Sequence, residues 1–548
     1  MTEKTIAYSH YGPKTISRCA GGLYLVSVTL LYHIVVGIQG FDMADEGFSL
    51  TAYQQVFNAP ESVEYLFLWY LTNIAGGVWN LLFGWAGILG FRLLTGITMA
   101  IIAWIVWDML YRHLSAGSIM AGFLASLFCS YYGIMVFYHN YLTALLAVCA
   151  AATLYRALTL NNMRWMALSG FIVGANIFVR LPNITLTALI LLLIPYYCYH
   201  RSWHRVLQFI GAAIGGFIVG IACVLLLMLM LGHWHIFLQA VDSGFSAAST
   251  NDSSHQLTTL IGTYLSVYKD IFTIGFFNNT FTVYMMATWG WLWVVCSRRY
   301  SREIVYLTTI AIIILHVLPI GSDFGVGNMG ENCVYMATPL LTGLVWQAIC
   351  RCQVRHKVRL LLRIGALGGL SLFLLRGVKN ISMQCYFDEG PRWEKTHLMG
   401  IARATTFTTA RNGELLQPLL TELARYVHED DMLLCFQNSP MLHYLTKTRP
   451  YLYNPWPWSY DIRNMEYQFQ RAEREHHLLP VVVRDKGSMP HWYVEDPDWD
   501  NTHAEDNFIH KNRKVLLIQD FLHRHHYHVV WENEVFQILI TKETSSKK

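Results

Sequence analysis

Asp42, Asp45 and Glu46 fall together in Gly40-Phe-Asp-Met-Ala-Asp-Glu-Gly-Phe-Ser49, directly after an apolar segment at 19–39. Carboxylates crowded beside a low-dielectric surface are costly, because each loses hydration and repels its neighbours. In one reading, a member of the cluster is a general base, with or without a cation to assist it. In the other, the residues form a solvated acidic loop that only obeys the charge asymmetry of membrane proteins. The spacing leaves both open.

Apolar helices must position these residues. The chain has 548 residues, 54% hydrophobic and only 14% charged, whereas soluble domains carry about 25% charged residues. A single water-soluble globule is excluded. Net charge is +4, which gives no reason to expect nucleic acid as a partner. Apolar stretches of about 17 to 25 residues, each long enough to cross a bilayer, recur up to residue 376 and then stop. They predict spans near 19–39, 83–110, 117–137, 141–160, 166–181, 183–199, 206–231, 281–296, 304–320, 334–350 and 360–376, about eleven crossings. Residues 62–82, flanked or interrupted by Pro60, Gly76 and Gly77, read as a helix lying in the interface.

Lysine and arginine collect on one side of this arrangement, including Lys4, Arg18, Arg112, Arg156, Arg201, Arg299, Arg351 and Arg363. That side is the cytoplasm by the positive-inside rule, and 19–39 is an uncleaved signal anchor. The opposite loops hold Asp42, Asp45, Glu46, Asp323 and Glu331. Residues 1–376 therefore form a polytopic α-helical membrane domain, and residues 377–548 a soluble α/β domain outside the cytoplasm. Within the latter, helices are expected near 411–428 and 507–524, and strands at 432–436, 481–483, 528–532 and 535–540. None of the eleven cysteines has zinc or redox spacing. Cys385 and Cys435 are the pair that an oxidising compartment would allow to bond.

The Asp45-Glu46 pair outside the first span, the amphipathic segment at 60–80, and Leu82-Phe83-Gly84 leading to Phe91-Arg92-Leu93 resemble the polytopic lipid-donor glycosyltransferases of the GT-C fold. That group includes protein O-mannosyltransferases and aminoarabinose transferases. The resemblance implies transfer of a sugar from a polyprenyl-phosphate donor to a glycan, lipid or protein acceptor on the outer face of the membrane. It also implies an acidic catalytic residue in the first outer loop, by position Asp45 or Glu46, with Asp42 third. The general look of the chain is closer to bacterial members, which implies an inner membrane with the C-terminal domain in the periplasm. No cofactor is implied beyond an optional divalent cation, and no metal site.

The chemistry agrees with that placement. Without a nucleotide pool, an outer-face sugar needs a carrier delivered by the membrane. Its phosphate leaves as an anion, so the reaction needs one base for the acceptor hydroxyl and cations for the phosphate. Arg92, Arg180 and Lys269 are the candidates, although each alone also reads as a cation snorkelling to lipid headgroups. The aminoarabinose transferases carry a lysine after the acidic loop, and residues 58–72 here hold none. His139 and Asn140 at an outer turn, and Asp323 and Asn328 in a glycine-rich loop, are candidates to orient substrate hydroxyls. They read equally as interfacial residues and turn formers. Two rival functions remain at this level: a polymerase or ligase of lipid-linked glycans, and a non-enzymatic transporter or flippase. The latter should place ionisable residues near the bilayer midplane.

Overall fold

The computed structural model describes residues 17–129, 133–249, 262, 264–269, 278–297, 299–320, 322, 325–388, 390–486 and 511–542. The helices of the first part include α1 (Arg18–Gly37), α2 (Asp45–Gln55), α3 (Tyr70–Phe83), α4 (Gly87–Leu110), α5 (Ala116–Leu127), α6 (His139–Leu160), α7 (Met163–Asn176), α8 (Leu193–His200), α9 (Trp203–Met230), α10 (Trp234–Ser249), α11 (Asn279–Ser297), α12 (Arg302–Val317), α13 (Val334–Arg351) and α14 (His356–Met383). Tighter helical turns at Pro60–Trp69 and Leu181–Leu192 run into α3 and α8. Among the described residues, six stretches are long and apolar enough to cross a membrane: Arg18–Gly37, Pro60–Leu110, His139–Leu160, Leu181–His200, Trp203–Met230 and His356–Met383. The other expected spans fall on shorter or more polar helices, among them α5, α7 and α13, whose Pro339 interrupts its hydrogen-bond ladder.

Contacts at the helix ends define two faces. At one end Asp108 pairs with Arg18 and, at 2.9 Å, with Arg156, which joins α1, α4 and α6. Helices that start at this end are capped by Ser17, Ser115, Asn162, Ser202 and Ser301, whose side chains accept from the otherwise orphaned first-turn N–H groups. The segment between α2 and α4 keeps to the opposite face: Tyr65 N–H donates to Tyr453 O and Ile88 N–H to Arg403 O. Both of those carbonyls belong to the C-terminal unit, so 60–86 leaves that unit and returns to it.

Helices α7 and α9 pack with their backbones in close approach. Gly170 and Gly174 face the carbonyls of Ala213 and Phe217, while Gly216 and Gly220 face those of Ala167 and Phe171. A Cβ at any of these glycines would strike backbone. Small residues four apart on both helices permit this approach.

The expected boundary at 376/377 falls within α14, which continues to Met383. Beyond it, a two-stranded ladder pairs β1 (His397–Leu398) with β2 (Phe407–Thr408). The main sheet comprises β3 (Met432–Phe436), β4 (Arg449–Pro450), β5 (Val481–Asp485), β6 (His528–Glu532) and β7 (Phe536–Ile540), in the order β4-β3-β5-β7-β6. β4, β3 and β5 are parallel, and β7 runs antiparallel to both its neighbours. Helices α15 (Ala410–Leu423), α16 (Met441–Thr446), α17 (Ile462–Glu475) and α18 (Lys511–Arg524) complete this α/β region. The expected strands are present almost residue for residue, and β1, β2, β4, α16 and α17 are additions. Cys385 and Cys435 are not bonded to each other: Cys435 is a buried thiol in β3, and Cys385 lies against Gly40.

Candidate active site at the acidic loop

The loop that leaves α1 is fastened to the C-terminal unit along its length. Phe407 N–H donates to Ile38 O at 2.9 Å, Gly40 N–H to Phe407 O at 2.8 Å, and Met441 N–H to Met43 O at 3.0 Å. Phe41 N–H donates to the Asp388 carboxylate at 2.7 Å. Asp388 also accepts from Thr408 and Asn412 and forms a wholly buried ion pair with Lys395 at 3.0 Å. Gly47 lies so close to the Met441 backbone that a side chain there would collide with it. The acidic loop and the C-terminal α/β region thus share one face of the molecule.

On this frame the three carboxylates have separate surroundings. Asp42, buried, accepts the N–H groups of Ala44 at 2.7 Å and Glu46 at 2.8 Å. It sits at the start of α2, where unpaired N–H groups and the helix dipole favour negative charge. Burial raises its pKa well above the usual carboxylate range, as do the charges of Asp45 and Glu46, against those two N–H groups. Glu46, also buried, pairs with Arg92 at 2.7 Å and accepts from the N–H groups of Met135 at 3.3 Å and Val136 at 3.2 Å. Asp45 alone of the three is only partly buried. The Tyr386 hydroxyl donates to it at 2.5 Å. Burial and, less, the Glu46 charge raise its pKa to about 6 against that hydrogen bond. A carboxylate poised near 6 is matched to proton abstraction near neutral pH.

The cation candidates separate as clearly. Arg92 donates to the carbonyls of Gly37 at 2.6 Å, Gln39 at 3.1 Å and Gly40 at 2.8 Å, as well as to Glu46. Both of its terminal nitrogens are spent on the acidic loop. Arg180 is buried where α7 gives way to Leu181–Leu192, within electrostatic reach of His139 and Cys333. Lys269 is exposed on the helical turn at 264–269.

Two of the expected orienting residues, distant in sequence, meet. Asn140 donates to Asn328 Oδ1 at 3.2 Å and to the Tyr138 hydroxyl at 2.9 Å. His139 stacks on Trp69 at 5.4 Å between ring centroids. Asp323 lies outside the described residues. Residues that the sequence reading passed over complete the site: Tyr386 on Asp45, and Tyr138, within electrostatic reach of both Asp45 and the buried Glu331. Glu331 immediately follows the glycine-rich loop, a position that could have drawn attention to it. In the aromatic run 451–460, Tyr451, Tyr453 and Tyr460 are buried in the C-terminal unit. Its Trp456 lies 5.8 Å from Phe48 of α2.

No protein-family model matches this chain, and no curated protein matches it either.

Proposed function

We propose that the protein is an integral membrane glycosyltransferase that moves a sugar from a polyprenyl-phosphate donor to an acceptor hydroxyl on the outer face of the membrane. The carrying observation is Asp45, a partly buried carboxylate at the first outer loop with a pKa raised to about 6 and a tyrosine hydroxyl holding one oxygen. The acceptor oxygen attacks the anomeric carbon as the bond to the carrier phosphate breaks. Asp45 takes the hydroxyl proton, and the bonding electrons leave with the phosphate oxygen. Arg180, buried and within electrostatic reach of His139, meets that charge, and Asn140 and Asn328 orient hydroxyls. Arg92 and Glu46 set the shape of the loop.

In this reading α1, α4 to α7, the Leu181–His200 segment, α9 and α11 to α14 cross the bilayer. The Arg18–Asp108–Arg156 end is cytoplasmic and the C-terminal region periplasmic. The test is consumption of a labelled polyprenyl-phosphate sugar by membranes holding the protein. Asp45→Asn should abolish it at unchanged protein level, and normal turnover by that variant would refute the assignment.

A further inference from the structure

Cations gather without counter-charge where α13 ends and α14 begins. Arg355, Lys357, Arg359 and Arg363 fall within nine residues, and positions 332–387 contain no aspartate or glutamate. Gln347 of α13 donates to His113 O at 2.6 Å, which ties this corner to the α4–α5 connection on the face marked by Asp108. Asp108 and Glu303 on that face are already engaged, the first by Arg18 and Arg156 and the second by Arg302. Among the described residues, none of the four cations has a carboxylate partner.

Two of the four are held in place, one helical turn apart on α14. Arg359 Nη2 donates to Cys352 O at 2.8 Å, and Arg363 Nη2 to Cys350 Sγ at 3.6 Å, with its guanidinium 5.7 Å from the Trp346 ring centre. The Nε of each is enclosed without an acceptor, and the Nη1 of each bonds to no protein atom among the described residues. Such cations have lost side-chain freedom before any ligand arrives, so binding an anion costs them less entropy than it costs a swinging side chain. Leu360, Leu361 and Ile364, beside them on α14, are exposed, and the helix is long and apolar enough to cross a membrane. From Ile364 to Leu375 it carries no charged residue. The two guanidiniums therefore stand where hydrocarbon gives way to headgroups. Fixed, uncompensated cations at that level fit an anionic head on an apolar body. A soluble anion would leave the apolar shoulder uncovered.

We infer that the α13–α14 corner binds the headgroup of an anionic phospholipid at Arg359 and Arg363, with Arg355 and Lys357 adding to the attraction. The inference does not depend on the transferase reading. Its test is native mass spectrometry of the full-length protein with phosphatidylglycerol and phosphatidylcholine of the same acyl chains, offered together. The wild type should retain phosphatidylglycerol preferentially, and Arg359→Gln with Arg363→Gln should lower that preference about tenfold, equivalent to about 1.4 kcal/mol. Should that pair fail to fold, Arg355→Gln with Lys357→Gln, both at exposed positions, should still lower it severalfold. Arg201→Gln with Arg205→Gln removes two exposed cations from the same face and should leave the preference unchanged. An equal loss from this control pair would reduce the effect to the general charge of the face and overturn the inference. So would an absence of preference in the wild type, displacement of the lipid by inorganic phosphate, or a dimer that the Arg359 and Arg363 substitutions dissolve.

Discussion

Tyr386 reaches across from the start of the C-terminal unit to donate its hydroxyl to Asp45, a residue more than three hundred positions earlier in the chain. The bond favours the ionised carboxylate and so opposes the burial that raises its pKa to about 6. Tyr386→Phe should therefore move the acid limb of the pH–rate profile upward by about one unit, the worth of a charged hydrogen bond of ~1.5 kcal/mol. The plateau rate at higher pH should change little. A profile identical to that of the wild type would place the base elsewhere.

Asp45 also leaves a signature in stability. A carboxyl group of pKa about 6 in the fold and about 3.9 in the unfolded chain binds more protons when folded throughout that window. Its contribution to stability therefore increases as pH falls from about 6 toward 4, the opposite of a salt-bridged carboxylate. In Asp45→Asn that component should be missing, with stability at neutral pH equal to or above that of the wild type. Paired thermal melts across this range, in detergent, measure it.

Much of this architecture is legible in the residues themselves, because a helix able to lie in hydrocarbon needs a long apolar run and a buried strand a short one. Hence β3, β6 and β7 fall where Met432 to Phe436 and the two later runs place them. What local pattern does not carry is partnership. Arg92 reads as a lone cation at an outer helix end until Glu46 and three carbonyls are seen around it. Asp388 and Tyr386 stand just beyond an apolar run in a segment without a motif, yet both grip the first loop. Such pairings are properties of the folded chain, set by which surfaces remain to be buried once the helices have packed.

The Arg92–Glu46 pair is buried on both sides, so the partner left behind by a deletion becomes an uncompensated charge. Arg92→Ala should cost about 3–5 kcal/mol and loosen the acidic loop. Glu46→Gln retains a hydrogen-bonding side chain opposite Arg92 and should cost less. Both should lower the melting temperature and the rate together, whereas Asp45→Asn lowers only the rate. If Glu46→Gln were fully stable and wholly inactive, Glu46 rather than Asp45 would be the base.

Neighbouring glycines on α9 give an internally controlled test of how α7 and α9 hold together. Gly216 lies against the Ala167 carbonyl of α7, whereas a Cβ at Gly215 meets nothing within 4 Å. Replacing a helical glycine by alanine gains up to about 1 kcal/mol of helix propensity where space allows, so Gly215→Ala should be neutral or stabilising. At Gly216 the same methyl group must drive two backbones apart, and an overpacking cost of about 1–3 kcal/mol outweighs the gain. Melting temperatures of the two variants should therefore move in opposite directions or, at the least, separate clearly. Equal effects at the two positions would mean that α7 and α9 do not meet through their glycine faces.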